Sequence, residues 1–292
     1  MNRKKEKSKL WFILFLLFLM VIVVAAGKLF RQYIERQTSN DQFSSLQEEV
    51  NHEAGNMTEE PSMPDTKEKQ TWEENTEDGA GEEDAKTDVL EEAGIEIPQK
   101  DLDWEKLHQE NPDIYAWIYI PDTIVDYPVL QHPTDNKYYL NYNMDGTKGY
   151  PGCIYTENYN SKDFSDIHTV IYGHNLKDKT MFSSLHNFED KELFGKDHYI
   201  FIYTEDYVFV YQIFAAYEFG AIHLLDNYDY TNEYVYEDYL KQIFGTADRI
   251  ANVREDIAVT TEDKIVTLST CTADHDSSRR FLVTGVLVNP KE

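Results

Sequence analysis

The chain has 292 residues, and its 54 acidic against 27 basic side chains give a net charge of −27 at pH 7. The charge is unevenly spread, because residues 1–31 sum to +6, residues 32–100 to −15 and residues 101–292 to −18. A region of charge −18 is unsuited to nucleic-acid phosphates, which need Lys and Arg, so we expect no nucleic-acid partner. The three blocks predict three physically different parts.

The N-terminal block predicts a membrane helix. Residues 10–27 form an uncharged run of 18 residues, LWFILFLLFLMVIVVAAG, about the length a helix needs to cross the hydrocarbon core. We therefore place a basic tail at 1–9 and a transmembrane signal-anchor helix at 10–29. The five basic residues before the run predict a cytoplasmic N-terminus and an extracellular remainder. A cleaved signal peptide is the alternative, since VVAAG offers small residues typical of a cleavage site.

Residues 30–100 are predicted to form an acidic, flexible and disordered stalk. They are rich in Glu, Asp, Thr, Asn and Gln and poor in apolar side chains, as in TWEENTEDGAGEEDAKTD. Such a segment cannot bury enough apolar surface to offset the entropy lost on ordering it.

Residues 101–292 predict a folded, mostly β domain. Asp103 is placed to cap a short first helix, and two later segments, TMFSSLHNF and EYVYEDYLKQIFG, show helical spacing. Eight short runs rich in Tyr, Ile, Val and Phe predict strands. They are YAWIYI, TIVDYPVL, GCIYT, HTVIYG, YIFIYT, YVFVYQIFAAYEF, KIVTLSTCT and RFLVTGVLV. This order predicts a closed or nearly closed eight-stranded β-barrel with helices in its connections.

Reactive side chains follow or precede several of these strands. Cys271 ends an apolar run in TLSTC, His174 follows the run TVIYG, and Arg279 and Arg280 precede the last strand. A thiol, an imidazole and a guanidinium at neighbouring strand ends would supply a nucleophile, its acid–base partner and a cation for a developing oxyanion. Neither a phosphate-binding loop nor clustered metal-ligand spacing is evident, so we expect no cofactor and no metal.

Other interpretations of the same residues remain open. A cysteine beside a strand is often an inert, buried side chain, as we expect for Cys153. A disulfide between Cys153 and Cys271 is a further alternative for a domain outside the membrane. His132, His168 and His275 are rival partners for the thiol.

Several of these motifs together resemble the sortase family, the cysteine transpeptidases of Gram-positive cell surfaces. The resemblance lies in TLSTC, in an arginine eight to nine residues later, and in YGHNLKDKTMF upstream. The segments DWEKLHQENPDIYAWIYIPDTIVDYPVLQ, DNKYYL and YGHNLKDKTMFSSL are similar to class B sortases more narrowly. The resemblance covers 101–292 and implies a sortase-type catalytic β-barrel there.

The resemblance implies catalytic roles for three residues. Cys271 matches the nucleophile, and His174 matches the histidine that protonates the leaving amine. Arg280 matches the oxyanion-stabilising arginine, because the family's arginine directly precedes the last apolar strand. Arg279 remains an alternative, and we expect the other arginine of the pair to be a solvated charge at the rim.

The resemblance also implies substrate-binding positions. Ser269 and Thr270 match residues that line the groove beside the thiol. Asn136 and Leu140, in DNKYYL, fall where class B enzymes contact the sorting peptide.

The implied reaction joins a secreted protein to the cell wall. The enzyme would cut the C-terminal sorting motif of the secreted protein after a threonine, form a thioacyl intermediate on Cys271, and transfer the protein to an amine of a peptidoglycan precursor. The predicted location is the cell membrane, with a single span and an extracellular catalytic domain, where both substrates are found.

Three alternative functions are weighed against this one. A papain-like peptidase or cell-wall hydrolase would also use Cys and His, but usually places the cysteine first in the chain. A pilin-polymerising sortase shares the chemistry but more often carries a lid segment and a second hydrophobic stretch. A non-catalytic surface-binding module would require an unreactive Cys271.

Overall fold

The computed structural model of the chain describes residues 2–56 and 90–290, and within this part nine strands form one sheet. The strands are β1 (Ile114–Tyr119), β2 (Asp126–Leu130), β3 (Ile154–Thr156), β4 (His168–Tyr172), β5 (Tyr199–Tyr203), β6 (Val208–Gly220), β7 (Ala251–Val253), β8 (Ile265–Cys271) and β9 (Arg279–Leu287). The helices are α1 (Asn2–Asn56), α2 (Trp104–Glu110), α3 (Tyr138–Asn141), a 3₁₀ helix (Phe182–Glu189), α4 (Lys191–Phe194), α5 (Leu224–Asn227) and α6 (Glu233–Phe244).

Eight of the strands close into a barrel. Their order is β5-β1-β2-β3-β4-β8-β9-β6, and β6 pairs back onto β5. The predicted closed eight-stranded barrel is therefore confirmed. The short strand β7 adds to the free side of β6 and was not predicted, because its three residues are too few to show an alternating pattern.

The alternation of side chains along each strand creates two apolar layers. In β8, Val266 and Leu268 face the interior core, whereas Ile265 belongs to a second cluster outside the barrel. Helix α6 covers this outer cluster with Tyr239 and Ile243, among other residues. The outer face of β4, β8 and β9 is thus buried beneath α6 at one end of the strands. Cys271 and His174 lie at the other end.

Local signals explain the short helices. Asp103 caps α2 as predicted, since its carboxylate accepts the backbone N–H of Lys106 at 3.0 Å. Asn232 caps α6 in the same way through the N–H of Tyr234, and the helix ends at Gly245. The predicted helical segment TMFSSLHNF forms the 3₁₀ helix, which buries Phe182, Leu185 and Phe188.

Helix α1 carries the predicted membrane segment. It is the one helix among the described residues that is long and apolar enough to span a bilayer, with a mean hydropathy of 2.8 in its most apolar window. Its apolar side chains are turned outward, and Trp11, for example, is 75 % exposed. This exposure of apolar surface is consistent with a membrane anchor.

Helix α1 also extends well beyond the membrane segment. Residues 30–56 continue the helix, although a flexible stalk was predicted from residue 30. Phe43, Leu46 and Val50 are buried in the main core, where the Phe43 ring meets that of Tyr127 edge-on at 5.6 Å. The spacing of these three side chains is helical, but the polar and charged residues between them masked it. Residues 57–89 of the predicted stalk lie outside the described residues.

Candidate active site

Cys271 is the last residue of β8 and lies directly opposite Arg280 on the antiparallel strand β9. Residues paired in this way have Cα atoms ~4.5–5.5 Å apart and side chains on the same face of the sheet. Cys271 is half-buried, and both cysteines are free thiols. The thiol and the guanidinium therefore start from neighbouring positions on one face, and the alternative of a disulfide is not what the structure shows.

His174 follows β4, the parallel neighbour of β8 on its other side. The register pairs Tyr172 with Ser269, and Gly173 donates its N–H to the Ser269 carbonyl at 3.1 Å. His174 lies two residues after Tyr172, and Cys271 lies two residues after Ser269. The two residues are therefore at the same end of adjacent strands. Neighbouring strands are ~4.8 Å apart, so the backbone of His174 lies on the side of Cys271 opposite Arg280.

The surroundings of His174 are apolar on one side and hydrogen-bonded on the other. Its Nε2 donates to the carbonyl of Leu140 at 2.9 Å, and its ring lies edge-on to Tyr150 with centroids 5.2 Å apart. Burial lowers the pKa of His174 below the usual histidine value, and the hydrogen bond to Leu140 partly opposes this. The resting imidazole is accordingly biased toward its neutral form.

The two adjacent arginines point in different directions. Arg280 donates hydrogen bonds from Nη1 to the carbonyls of Ser277 and Arg279. Burial raises the pKa of the Tyr155 phenol, and the positive charge of Arg280 partly opposes this rise. Arg279 instead pairs with Glu218 at 3.1 Å and Asp248 at 2.8 Å. The expectation that Arg279 is a solvated rim charge is corrected by these two ion pairs. Arg280 lies on the Cys271 face.

Two side chains that the sequence did not single out hold the backbone of Cys271. The carbonyl of Cys271 accepts hydrogen bonds from Nε2 of His186 at 3.0 Å and from Nδ2 of Asn175 at 3.3 Å. His186 is in turn bonded through Nδ1 to Glu189 at 2.5 Å, and it stacks on Phe281 at 4.6 Å. The sequence held only weak signals for these two residues. Asn175 directly follows His174, and His186 and Glu189 are three residues apart at the end of a predicted helical segment.

The predicted groove residues Ser269 and Thr270 lie on opposite faces of β8. Ser269 shares the face of Cys271 and Tyr172, whereas Thr270 is paired with Phe281 on the inner face. The Thr270 hydroxyl is buried without a hydrogen-bond partner among the described residues. Of the two, Ser269 is therefore on the face of the thiol, where its side chain is buried at 7 % exposure.

The predicted peptide contacts Asn136 and Leu140 also differ. Leu140 lies in α3, is 38 % exposed, and touches the site through its carbonyl bond to His174. Asn136 precedes α3, and its side-chain oxygen accepts the N–H of Asn158 at 2.8 Å. Leu140 is thus next to His174, while Asn136 bonds the loop that follows β3.

The rival residues are placed elsewhere. His168 begins β4, at the end away from Cys271, and bonds Thr267 at 2.8 Å; burial lowers its pKa to about 3. His132 stacks on Tyr138, and His275 is exposed on the loop after β8. Cys153 is fully buried, and burial raises the pKa of its thiol well above the usual value. Cys153 is thus the inert thiol that was expected.

A closed barrel of this order, with a partly exposed cysteine, a histidine and an arginine at neighbouring strand ends, is typical of a cysteine transpeptidase of the sortase type. The sortase domain model matches residues 118–288, more than half of the chain. Sortase B of Listeria monocytogenes is 35 % identical over 184 residues, which cover 62 % of this chain and 72 % of that protein. The chain belongs to the sortase family, and its relatives are of class B.

Solved structures agree with this assignment. A sortase B complexed with triglycine is 28 % identical, with a TM-score of 0.55, and the match covers 64 % of this chain and 86 % of that one. Spy0129 of Streptococcus pyogenes, a class B sortase involved in pilus biogenesis, is 28 % identical with a TM-score of 0.54, and the match covers 64 % of this chain and 98 % of that one.

Proposed function

We propose that this enzyme cleaves the C-terminal sorting motif of secreted proteins after a threonine and transfers the protein to an amine of a peptidoglycan precursor. The observation that carries the proposal is the register around Cys271. Arg280 lies opposite the thiol on β9, and His174 follows the parallel strand on the other side. Nucleophile, proton carrier and oxyanion cation are the three groups that acyl transfer from an amide requires.

In the first half-reaction, the Cys271 sulfur attacks the threonine carbonyl and its proton passes to His174. The carbonyl π electrons move onto oxygen, and Arg280 stabilises this oxyanion. As the C–N bond breaks, His174 gives its proton to the departing amine, since an amide nitrogen must leave protonated. The products are a thioacyl-enzyme and the free C-terminal fragment.

In the second half-reaction, the acceptor amine attacks the thioester carbonyl. His174 takes a proton from the amine, the C–S bond breaks, and the departing thiolate takes that proton from His174, which restores the thiol and the neutral imidazole. The complex of a relative with triglycine supports a glycine-type amine as the acceptor. Water in place of the amine would yield hydrolysis, so the choice of acceptor decides whether the product is an amide or an acid.

The proposed location is the outer face of the cell membrane. Helix α1, the one helix among the described residues that could span a bilayer, provides the anchor, and the basic residues before its apolar segment favour a cytoplasmic N-terminus. Both the secreted substrate and a lipid-borne wall precursor are available at that face.

The test is incubation of the full chain in detergent micelles with a library of sorting-type peptides and triglycine, read by mass spectrometry. Cleavage after threonine with formation of a peptide–triglycine amide is the expected result. Cys271→Ala should retain the fold and lose all cleavage. Cleavage that survives in Cys271→Ala, or hydrolysis without amide formation at saturating amine, would contradict the proposal.

A pilus-polymerising activity is the second candidate, because the similar enzyme Spy0129 is involved in pilus biogenesis. The chemistry would be the same, but the acceptor would be a lysine side chain of a protein. Competition between triglycine and a lysine-containing acceptor peptide in the same assay separates the two functions.

A further inference from the structure

A buried carboxylate lies behind the two arginines at the start of β9. Glu218 of β6 is 3 % exposed, and both of its oxygens are used. Oε2 accepts Nε of Arg279 at 3.1 Å, and Oε1 accepts Nε of Arg249 at 3.2 Å as well as its Nη2. A buried carboxylate is costly unless it is paired and hydrogen-bonded, and here two guanidinium groups supply the pairing.

The contacts of Glu218 extend to the loop that joins the nucleophile to the oxyanion arginine. Arg249 also pairs with Asp274 at 3.0 Å, and the other oxygen of Asp274 accepts the Thr272 hydroxyl at 2.8 Å. Thr272 directly follows Cys271. The loop of residues 272–278 is therefore connected to Glu218 at two points. Near the start of the loop the connection runs through Asp274 and Arg249, and just after its end it runs through Arg279.

This connection has a consequence for Arg280. Successive side chains of a strand point to opposite faces, so Arg279 and Arg280 cannot both face the thiol. Glu218 is paired with Phe281 in the register and holds Arg279 on the face away from Cys271. With Arg279 held there, Arg280 is left on the face of its partner Cys271.

We propose that Glu218 is a positioning residue for catalysis, which selects Arg280 as the arginine that faces Cys271 by binding Arg279 and, through Arg249, the loop of residues 272–278. The proposal rests on the proposed function for its link to turnover, but the restraint of the loop can be measured without any substrate.

The test compares Glu218→Gln with wild type, using the full chain in detergent micelles. Glutamine keeps the size of the side chain and removes its charge. We expect kcat to fall about tenfold to a hundredfold, with KM and the rate of Cys271 alkylation by iodoacetamide changed less than about twofold, because the oxyanion cation is displaced while the thiol is untouched. Hydrogen exchange in residues 272–280 should become faster.

Asn289→Ala is the matched control for a loss of stability alone. Asn289 is also buried and makes two backbone hydrogen bonds, to Val208 and Val210, beyond the opposite end of β9. This variant should lower the melting temperature but leave kcat and the exchange of residues 272–280 as in wild type. An equal fall of kcat in Asn289→Ala, at a similar melting temperature, would overturn the proposal.

A double variant tests whether Glu218 acts through Arg279. If it does, Glu218→Gln combined with Arg279→Ala should lose no more activity than the worse single variant, whereas multiplicative losses would reject the mechanism.

Should Glu218→Gln fail to fold, Arg249→Ala removes one partner of Glu218 from the surface, and an unchanged kcat in that variant rejects the proposal. If wild type cleaves no peptide, the proposed function fails, and unchanged exchange in residues 272–280 of Glu218→Gln would separately reject the loop restraint.

Discussion

The pairing of Cys271 with Arg280 gives two neighbouring arginines different tasks. Arg280 is paired with the residue that carries the thiol, and its guanidinium makes backbone contacts near the rim of the barrel. Arg279 is committed to carboxylates on β6 and on the loop before β7. A direct role in the transition state is therefore open to Arg280, and an indirect role to Arg279.

We predict that Arg280→Ala lowers kcat/KM by about a hundredfold or more, the usual effect of losing an oxyanion donor. Arg279→Ala should lower it only about tenfold, because it disturbs the position of its neighbour and leaves the donor in place. Steady-state rates on one peptide decide the matter, with Cys271 alkylation as the control for an intact site. Equal losses would indicate shared function, and a larger loss at Arg279 would reverse the assignment.

The ring of Tyr150 contributes to the desolvation of His174. It is 59 % exposed itself, yet its centroid lies 5.2 Å from that of the imidazole. Desolvation disfavours the charged imidazolium, which is why the pKa of His174 lies below the usual value. In the proposed mechanism the thiol–imidazole pair carries one titratable proton, so a second proton bound at low pH should inactivate the enzyme.

The acid limb of kcat/KM should consequently have its midpoint below ~6.5, the ordinary histidine pKa. Tyr150→Ala admits water to the ring, raises the pKa of His174 and should move this midpoint upward. Tyr234→Ala serves as the control, since Tyr234 is 82 % exposed on α6. A pH–rate profile for each variant provides the measurement, and an unmoved or lowered midpoint in Tyr150→Ala would refute the assignment.

The turn after β4 determines where His174 can lie. Gly173 continues the hydrogen bonds of β4 to β8 and then passes between side chains of the core. A Cβ atom at Gly173 would lie 2.5 Å from Cδ1 of Ile154 and 2.6 Å from the Phe182 ring. Only glycine allows the strand to pass this close to the 3₁₀ helix before it presents the imidazole.

We predict that Gly173→Ala destabilises the fold by about 1–3 kcal/mol, the usual cost of overpacking a core. Gly220→Ala is the comparison, because the nearest atom to its Cβ would be Cγ2 of Ile222 at 4.0 Å. Urea unfolding of both variants provides the free energies. Equal stability of the two would mean that the core yields at Gly173 without cost.

Helix α1 and the barrel are joined by side-chain contacts as well as by the covalent chain. Beyond the apolar segment, α1 buries Phe43, Leu46 and Val50 on the barrel, and Arg36 forms an ion pair with Asp178 at 2.7 Å. Asp178 belongs to the segment between His174 and the 3₁₀ helix. The orientation of the barrel relative to helix α1 is therefore restrained by these contacts.

Two truncations should separate the anchor from this docked segment. Removal of residues 1–30 should leave the melting temperature of the barrel unchanged, because it takes away only the exposed apolar part. Removal of residues 1–56 should lower the melting temperature by about 5 °C or more, because three buried apolar side chains are lost. The conformational entropy that no longer has to be lost in ordering the helix offsets part of this effect. Thermal unfolding by circular dichroism provides the comparison. Identical melting temperatures would show that the docked segment adds no stability.

Patterns within single segments allowed much of the molecule to be predicted. The apolar run of α1, the alternating strands and the placement of Cys271 and His174 at strand ends all depend on neighbours a few residues apart, and each was visible in the sequence. The resemblance of the same motifs to sortases added the family, which the fold and the relatives confirm.

Features that join distant segments were decided only by the tertiary structure. The face occupied by Ser269 or Thr270 depends on the register with β9, and a shift of one residue would exchange them. Glu218 meets Arg249 and Arg279 from 31 and 61 residues away. The polar and charged residues between Phe43, Leu46 and Val50 hid the helix stripe that docks on the barrel. Side chains far apart in sequence become neighbours only when the whole barrel closes, so no local pattern records their contact.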